Sequence, residues 1–379
     1  MEELVIINGN VLLADGSIEE TAVRVADGRI TGFGSGILNG ARIIDAGGKF
    51  VLPGIVDIHG DAFERQIMPR PGVHFDLEVA LLDTDRQMIA NGITTAFHGV
   101  TLSWEPGLRG RDNFVRIMEA LEHLNGGLKC DTRLHLRFET YNVTVASDVV
   151  DWIKSGRIGL LAFNDHTPEI YEQRHIRGKL SKYAERTGLS EEGFIDLVER
   201  VYGRGDEVPS AVEKLAAAAS DARIPQLSHD DALPETRTYY NALGCEVCEF
   251  PETEETARTA RDYGNPIVMG APNVVRGGSH NGAVSAAEMV AKDLCTVLAS
   301  DYYYPAQLLA AFRLHREMSM GLGDAWSLVS HGPAHAAGLE DRGDITEGKR
   351  ADIIIVDDHD GGTPTVDAAI VDGRPIYLA

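Results

Sequence analysis

The chain has 379 residues, 44% of them hydrophobic and 25% charged, an ordinary globular balance with room for a large core and a second, smaller domain. Its formal charge of −23 repels polyanions and so argues against nucleic-acid binding as the main task, and no apolar run is long enough for a membrane span. A small phosphorylated substrate is still admissible, provided that cations or metal ions make its site locally positive.

The opening "MEELVIINGN" carries acids where a basic leader would stand, so no secretory signal is expected. Four scattered cysteines, Cys130, Cys245, Cys248 and Cys295, make no disulfide framework and favour a reducing cytoplasm. Residues 1–52 alternate short β-type runs with Gly/Asp turns, as in "LVIINGNVLL", "ADGS" and "TAVRVADGRITGFG". Residues 339–379 have the same texture, in "GDITEGKRADIIIVDD" and "PTVDAAIVDGRPIYLA". Neither piece alone has strands enough to enclose a core. The two are expected to pair into one small β-sandwich built from both chain termini.

Residues 53–338 form the central domain, where short apolar strands alternate with longer helical stretches. The strand ends, in order, are "GIVDIHGD", "TTAFHGV", "RLHLRFET", "GLLAFNDHTP", "IPQLSHDD", "CEVCEFPET", "PIVMGAPN" and "TVLASDYYYP". Strands and crossover helices in this number predict an α/β fold, a (β/α)8 TIM-like barrel. A doubly wound open sheet fits less well, because no Gly-rich phosphate fingerprint follows the first strand.

Nearly every one of these strands has an apolar body and a His, Asp or Glu at its end, and in a barrel those ends converge on one mouth. His59 and Asp61 are two apart on an extended strand, so both side chains reach the same side. Imidazole and carboxylate together suit zinc, manganese, iron or nickel. Glu139, His166, His229 and Asp301 are ligand types in the equivalent place on other strands. Singly, each reads as a cap or a solvated loop residue. Together they predict a centre of one or two divalent ions, zinc first, with manganese, iron or nickel as alternatives. His135 shares a face with Glu139 and His98 ends the second strand; either is a neighbour of the ligands or a substrate contact. For His98, a strand-end histidine bonded to backbone is an equal reading. Cys245 and Cys248 lie three apart in a strand, facing opposite ways, and read as packing.

The motifs "HGDAFERQIMPRP", "GITT", "RLHLRFE", "DHTP", "SHDD", "EFPET", "MGAPNVVRGGSHNG", "ASDYYYP" and "DRGDITEGKRAD" span almost the whole chain in order. They resemble the amidohydrolase superfamily and, within it, the family of α-D-ribose 1-methylphosphonate 5-triphosphate diphosphatases of the carbon–phosphorus lyase pathway. The resemblance implies His59, Asp61, Glu139, His166, His229 and Asp301 as metal ligands, with Glu139 as the bridge between two ions. It implies hydrolysis of a ribose 5-triphosphate at its α–β phosphoanhydride, giving pyrophosphate and the 5-phosphate. The chain departs from the family at His98, where an acid is usual.

Such a reaction needs water made nucleophilic near neutral pH, which divalent ions achieve. Asp301, a carboxylate at the last strand end, is the expected proton acceptor. A triphosphate in so acidic a chain also needs local cations. Arg65 and Arg70 follow the first strand. Arg276 lies in "VVRGGSHNG", where Gly277 and Gly278 are expected to let backbone N–H groups approach an anion and His280 adds a donor. Arg174, Arg177, Lys179 and Lys182 form a basic stretch that reads either as a lid over the phosphates or as a solvated helix face. The expected partner is a small phosphorylated sugar, with no nucleic acid and no membrane, and a homodimer is admissible. Two rival readings stand beside this one. An amidase, deacetylase or deaminase would attack a C–N bond with the same water. A non-catalytic barrel would have lost ligand residues at several strand ends.

Overall fold

The run "IIIV" at 353–356 contains the architecture in miniature. Ile353 and Ile355 pack into one hydrophobic cluster, Ile354 and Val356 into another. Successive side chains of a strand point to opposite faces, so both faces of this sheet are covered. A computed structural model describes residues 3–34, 40–70, 72–176, 178–180, 183, 187–278 and 284–379.

The N-terminal strands are β1 (Leu4–Leu12), β2 (Ile18–Ala26), β3 (Arg29–Phe33), β4 (Arg42–Asp45) and β5 (Phe50–Pro53). The chain then enters a second sheet at Gly54, through β6 (Ile55–Gly60), β7 (Ile93–Leu102), β8 (Asp131–Glu139) and β9 (Leu160–Asn164). It continues through β10 (Gln226–His229), β11 (Val247–Glu249), β12 (Ile267–Gly270) and β13 (Val297–Ala299). β14 (Ile353–Asp357), β15 (Thr365–Val371) and β16 (Arg374–Leu378) return to the first sheet. There β14 pairs antiparallel with β5, joining both ends of the chain in one continuous mixed sheet. Leu4, Ile6, Val23, Val51 and Ile370 line its own core, while Leu52, Val366 and Ala369 pack toward the barrel.

β6 to β13 are parallel neighbours in chain order, as the strand–helix alternation predicts. The barrel closes where Asp61 N–H donates to Asp301 O and Asp301 N–H donates to His59 O, both at 2.9 Å. Buried Gln307 fastens the same seam, donating from Nε2 to Val56 O at 3.2 Å and Leu298 O at 2.8 Å. On β8 the alternation is plain. Leu134, Leu136 and Phe138 pack outward among helix residues such as Phe114 and Ile153. His135, Arg137 and Glu139 therefore face inward. Phe97, Leu160, Ala162, Leu227, Val247, Val268 and Val297 fill the inner core beneath them.

At the other end of the barrel, Asp131 accepts from Arg342 at 2.6 Å, Arg350 at 2.9 Å and Arg133 at 3.1 Å. This network ties the start of β8 to the segment that leads into β14. Charge there serves the scaffold, since the chemistry of such barrels sits at the opposite mouth. Among the described residues, no helix is long and apolar enough to cross a membrane.

Candidate active site

Two neighbouring groups of ligand-type side chains occupy the barrel mouth. The deeper one begins with His59 at the end of β6, whose Nδ1 lies 2.8 Å from Glu249 Oε1 at the end of β11. These buried atoms face each other without the alignment of a hydrogen bond, and neither has another partner. Burial pushes the His59 imidazole down to about 4, so the ring is neutral. His229, at the end of β10, stacks on His59 with centroids 5.3 Å apart, and its Nδ1–H donates to Glu249 Oε2 at 2.7 Å. One ligand-type atom from each of His59, His229 and Glu249 lies within 4.8 Å of the others, all three residues buried. Two imidazoles around a carboxylate with an unpaired oxygen fit a divalent cation.

The outer group centres on His166, just after β9. Its Nδ1 is 2.6 Å from Glu139 Oε1 and its Nε2 is 3.1 Å from Asp230 Oδ2. The Glu139 carboxylate, with Asp230 on the other side, pushes His166 up to about 10. A metal ion bound there would replace that proton. Asp230 sits at φ +59°, a left-handed conformation uncommon for a side-chain-bearing residue, and its Oδ2 also lies 3.3 Å from His229 Nε2. His166, His229 and Asp230 make the second group within 4.8 Å.

Arg137 stands between the two groups. Its Nη2 donates to His229 Nε2 at 2.9 Å, and its Nη1 lies 3.5 Å from Asp61 Oδ2. A guanidinium only donates, so this contact uses the lone pair of His229 Nε2, whereas burial is outweighed by Asp230 on the same nitrogen, which holds the imidazole above its ordinary range. Beneath them His135 donates from Nδ1 to Ile58 O at 2.8 Å and meets the His59 ring edge-on. That bond fixes the orientation of His135 under the cluster. Asp301 has φ +55°, and burial, with Asp61 beside it, pushes its carboxyl up to about 7. A carboxyl so poised can take a proton near neutral pH.

Of the predicted ligands, His59 and His229 belong to the buried group, and His166 and His229 to the outer one. Asp61, Glu139 and Asp301 lie at the same mouth but in neither group; Glu139 contacts His166. Arg65 and Arg276 meet at Tyr302: the Arg65 guanidinium lies 5.7 Å from the ring centroid, and Arg276 donates to the hydroxyl at 3.3 Å. Neither arginine has a carboxylate partner among the described residues. Lys179 lines a cavity of about 340 Å³ together with Arg137, Glu139 and His166. Arg70 is exposed and forms an isolated β-bridge with Val73. Arg174 donates to Glu199 Oε1 at 2.9 Å and lies over Tyr171, so it ties the helix Thr167–Gln173 to the helix Glu191–Tyr202. Arg177, Lys182 and His280 fall outside the described residues.

Two expectations are corrected. The Gly277 and Gly278 N–H groups do not face an anion: they cap the helix Ala271–Arg276 by donating to Val274 O and Asn273 O. His98 does not end its strand, because β7 runs on to Leu102; it is buried against Phe63.

Glu249, Asp230, Arg137 and Tyr302 were missed as site residues. Each was within reach of the sequence argument. Glu249 ends a strand in an acid as the predicted ligands do, Asp230 follows a ligand-type histidine, and Arg137 shares the face of His135 and Glu139.

The model of the amidohydrolase family matches residues 50–376 of the chain. The chain belongs to the amidohydrolase family. This amidohydrolase is 33% identical over 364 residues to the alpha-D-ribose 1-methylphosphonate 5-triphosphate diphosphatase of Escherichia coli (strain K12), covering 92% of this chain and 94% of that one. It is 25% identical, over 98% of its length, to an adenine deaminase of Methylobacterium sp. (strain 4-46), and spans only 58% of that protein. Among solved structures, the N-isopropylammelide isopropylaminohydrolase of Burkholderia multivorans superimposes with a TM-score of 0.67 at 18% identity, covering 100% of this chain and 99% of the other. That likeness concerns the fold.

Proposed function

We propose that this amidohydrolase is a metal-dependent diphosphatase. Its substrate would be α-D-ribose 1-methylphosphonate 5-triphosphate or a close analogue, cleaved at the α–β phosphoanhydride to pyrophosphate and the 5-phosphate. The observation that carries this reading is the end-to-end likeness, 33% identical, to the Escherichia coli diphosphatase. The two arginines at Tyr302, without carboxylate partners among the described residues in a chain of −23, support an anionic substrate.

His59, His229 and Glu249 would hold one divalent ion, and His166 with Asp230 a second; zinc suits the histidine-rich set. When bound, such ions supply an acidified water and neutralise phosphoryl charge. The chain's own residues do the rest. Asp301 accepts the proton from the attacking water. Arg65 and Arg276 hold phosphate oxygens and fix the anhydride for in-line displacement, where positioning and electrostatics dominate. Asp61 beside Asp301 keeps that carboxyl basic enough for the task.

The test is pyrophosphate release from a ribose 1-alkylphosphonate 5-triphosphate, compared with a nucleoside triphosphate and with ammonia release from adenine. Preferred pyrophosphate release from the phosphonate sugar is expected. Ammonia release without pyrophosphate would replace this reading with attack on a C–N bond.

A further inference from the structure

The mouth of the barrel is chemically lopsided. On the side of β6, β12 and β13, Arg65 and Arg276 converge on Tyr302 next to Asp301 with no carboxylate to neutralise them among the described residues. On the side of β7, β8 and β9 lies the cavity of about 340 Å³, within the usual span of small-molecule sites, roughly 300–1,000 Å³. Its wall is mixed. Thr101, Ser103, Glu169 and Gln173 offer hydroxyl, carboxylate and amide groups, while Ile170 and Leu180 offer apolar surface. Its arginines are already engaged: Arg109 makes a bidentate pair with Glu64 at 3.1 and 2.9 Å, and Arg137 is held by His229 and Asp61. Paired donors and acceptors over an apolar floor suit a polyhydroxylated ring. With Lys179 as the one unpaired cation among its described residues, the cavity does not suit a chain of phosphates, which needs several. His166 belongs both to the cavity wall and to the outer ligand group, and Glu139 in the wall contacts it, so the reacting bond can lie between the two sides.

We infer that the substrate crosses the mouth in one direction: the sugar end occupies the Thr101/Ser103/Glu169 cavity, and the departing pyrophosphate end lies at Arg276, Arg65 and Tyr302. This rests on the proposed diphosphatase reading and adds the orientation. Lys179, also in the cavity wall and without an ion-pair partner among the described residues, is then the cation for the anionic substituent at the sugar's C1. Cleavage leaves the 5-phosphate on the cavity side and frees pyrophosphate on the arginine side, so the two products have separable sites.

Calorimetric binding of the two product classes to metal-loaded protein tests this, with inorganic pyrophosphate and ribose 5-phosphate as probes. Arg276→Met should weaken pyrophosphate by at least about tenfold, the loss of a charge-assisted hydrogen bond, and leave ribose 5-phosphate nearly unchanged. Glu169→Gln and Ser103→Ala should do the reverse. Both sets of variants acting on the same probe, or the pattern inverted, would overturn the orientation. These affinities are read without turnover, so the orientation can fail while the wild-type chain still releases pyrophosphate, and the activity can fail while the pattern stands.

Discussion

Arg137 donates from Nη2 to His229 Nε2 across 2.9 Å, so a guanidinium stands on the lone pair that a metal ion would take. Unit charges 4 Å apart repel by about 4 kcal/mol at an effective dielectric constant of 20, which sets the scale of the competition. Arg137→Met is expected to tighten metal binding by about tenfold or more, because part of that repulsion is relieved by movement of the arginine in the wild type. Competition with a chromophoric chelator measures it. An unchanged affinity would mean that the guanidinium swings clear at no cost.

Asp301 and His229 separate proton transfer from metal retention. Asp301→Asn should lower kcat by about 10²–10⁴, the usual contribution of a positioned base, while metal content stays near that of the wild type. His229→Ala, which touches both ligand groups, should lose metal and turnover together. Full activity in Asp301→Asn would remove that residue from the role of base.

Glu249 is fully buried between His59 and His229. Glu249→Gln keeps its shape and removes its charge. Metal affinity should fall by about 10–100-fold, whether Glu249 binds the ion or orients the two imidazoles. Metal-binding titration decides, and wild-type affinity would place the ion elsewhere at the mouth.

Arg276 donates to the hydroxyl of Tyr302 on an exposed rim. Arg276→Ala should raise KM for a triphosphate by about 10–100-fold with little change in Tm. Tyr302→Phe should do less, since the ring that supports Arg65 remains. A KM equal to that of the wild type would take Arg276 out of the phosphate site.

Asp131 makes a prediction about pH. Burial opposes its ionisation, but Arg133 and Arg342 outweigh that and hold the carboxyl well below its ordinary range. The folded state therefore binds fewer protons than the unfolded one. The stabilisation is complete above the unfolded pKa of about 3.9 and is lost as the pH falls through and below it. Asp131→Asn should cost about 3 kcal/mol near pH 7, with the gap to wild type shrinking progressively below about pH 4. Denaturant melts at several pH values measure the difference, and a gap constant with pH would exclude the linkage.

The barrel was legible because each strand carries its own signal: a short apolar body, then a polar end, then a helix. That is why the end of β6 with His59 and the end of β10 with His229 could be paired across 170 residues of sequence. Glu249 is harder to recognise because its strand, Val247–Glu249, is only 3 residues long, with Cys248 inside it and Cys245 just before it, a pair that reads as packing. Arg137 lacks the loop position that marks Arg65 and Arg276 as phosphate contacts, because it projects from β8 two residues before its end. The glycines after Arg276 were misread for a different reason. Their sequence suits both an anion nest and a helix C-cap, and only the helix before them decides between the two.

The seam between Gly60 and Asp301 also has a bearing on how the chain becomes active. The carbonyl of His59 and the amide of Asp301 are bonded to each other, so a prime ligand candidate and the proton acceptor meet only when the first and last barrel strands join. Contacts so distant in sequence form late, after the loop-closure cost of the whole barrel has been met. A chain emerging from the ribosome, or one stalled part-way through refolding, has neither half of this site in place. Appearance of activity during refolding should therefore coincide with closure of the barrel, so that catalysis itself reports the completed fold.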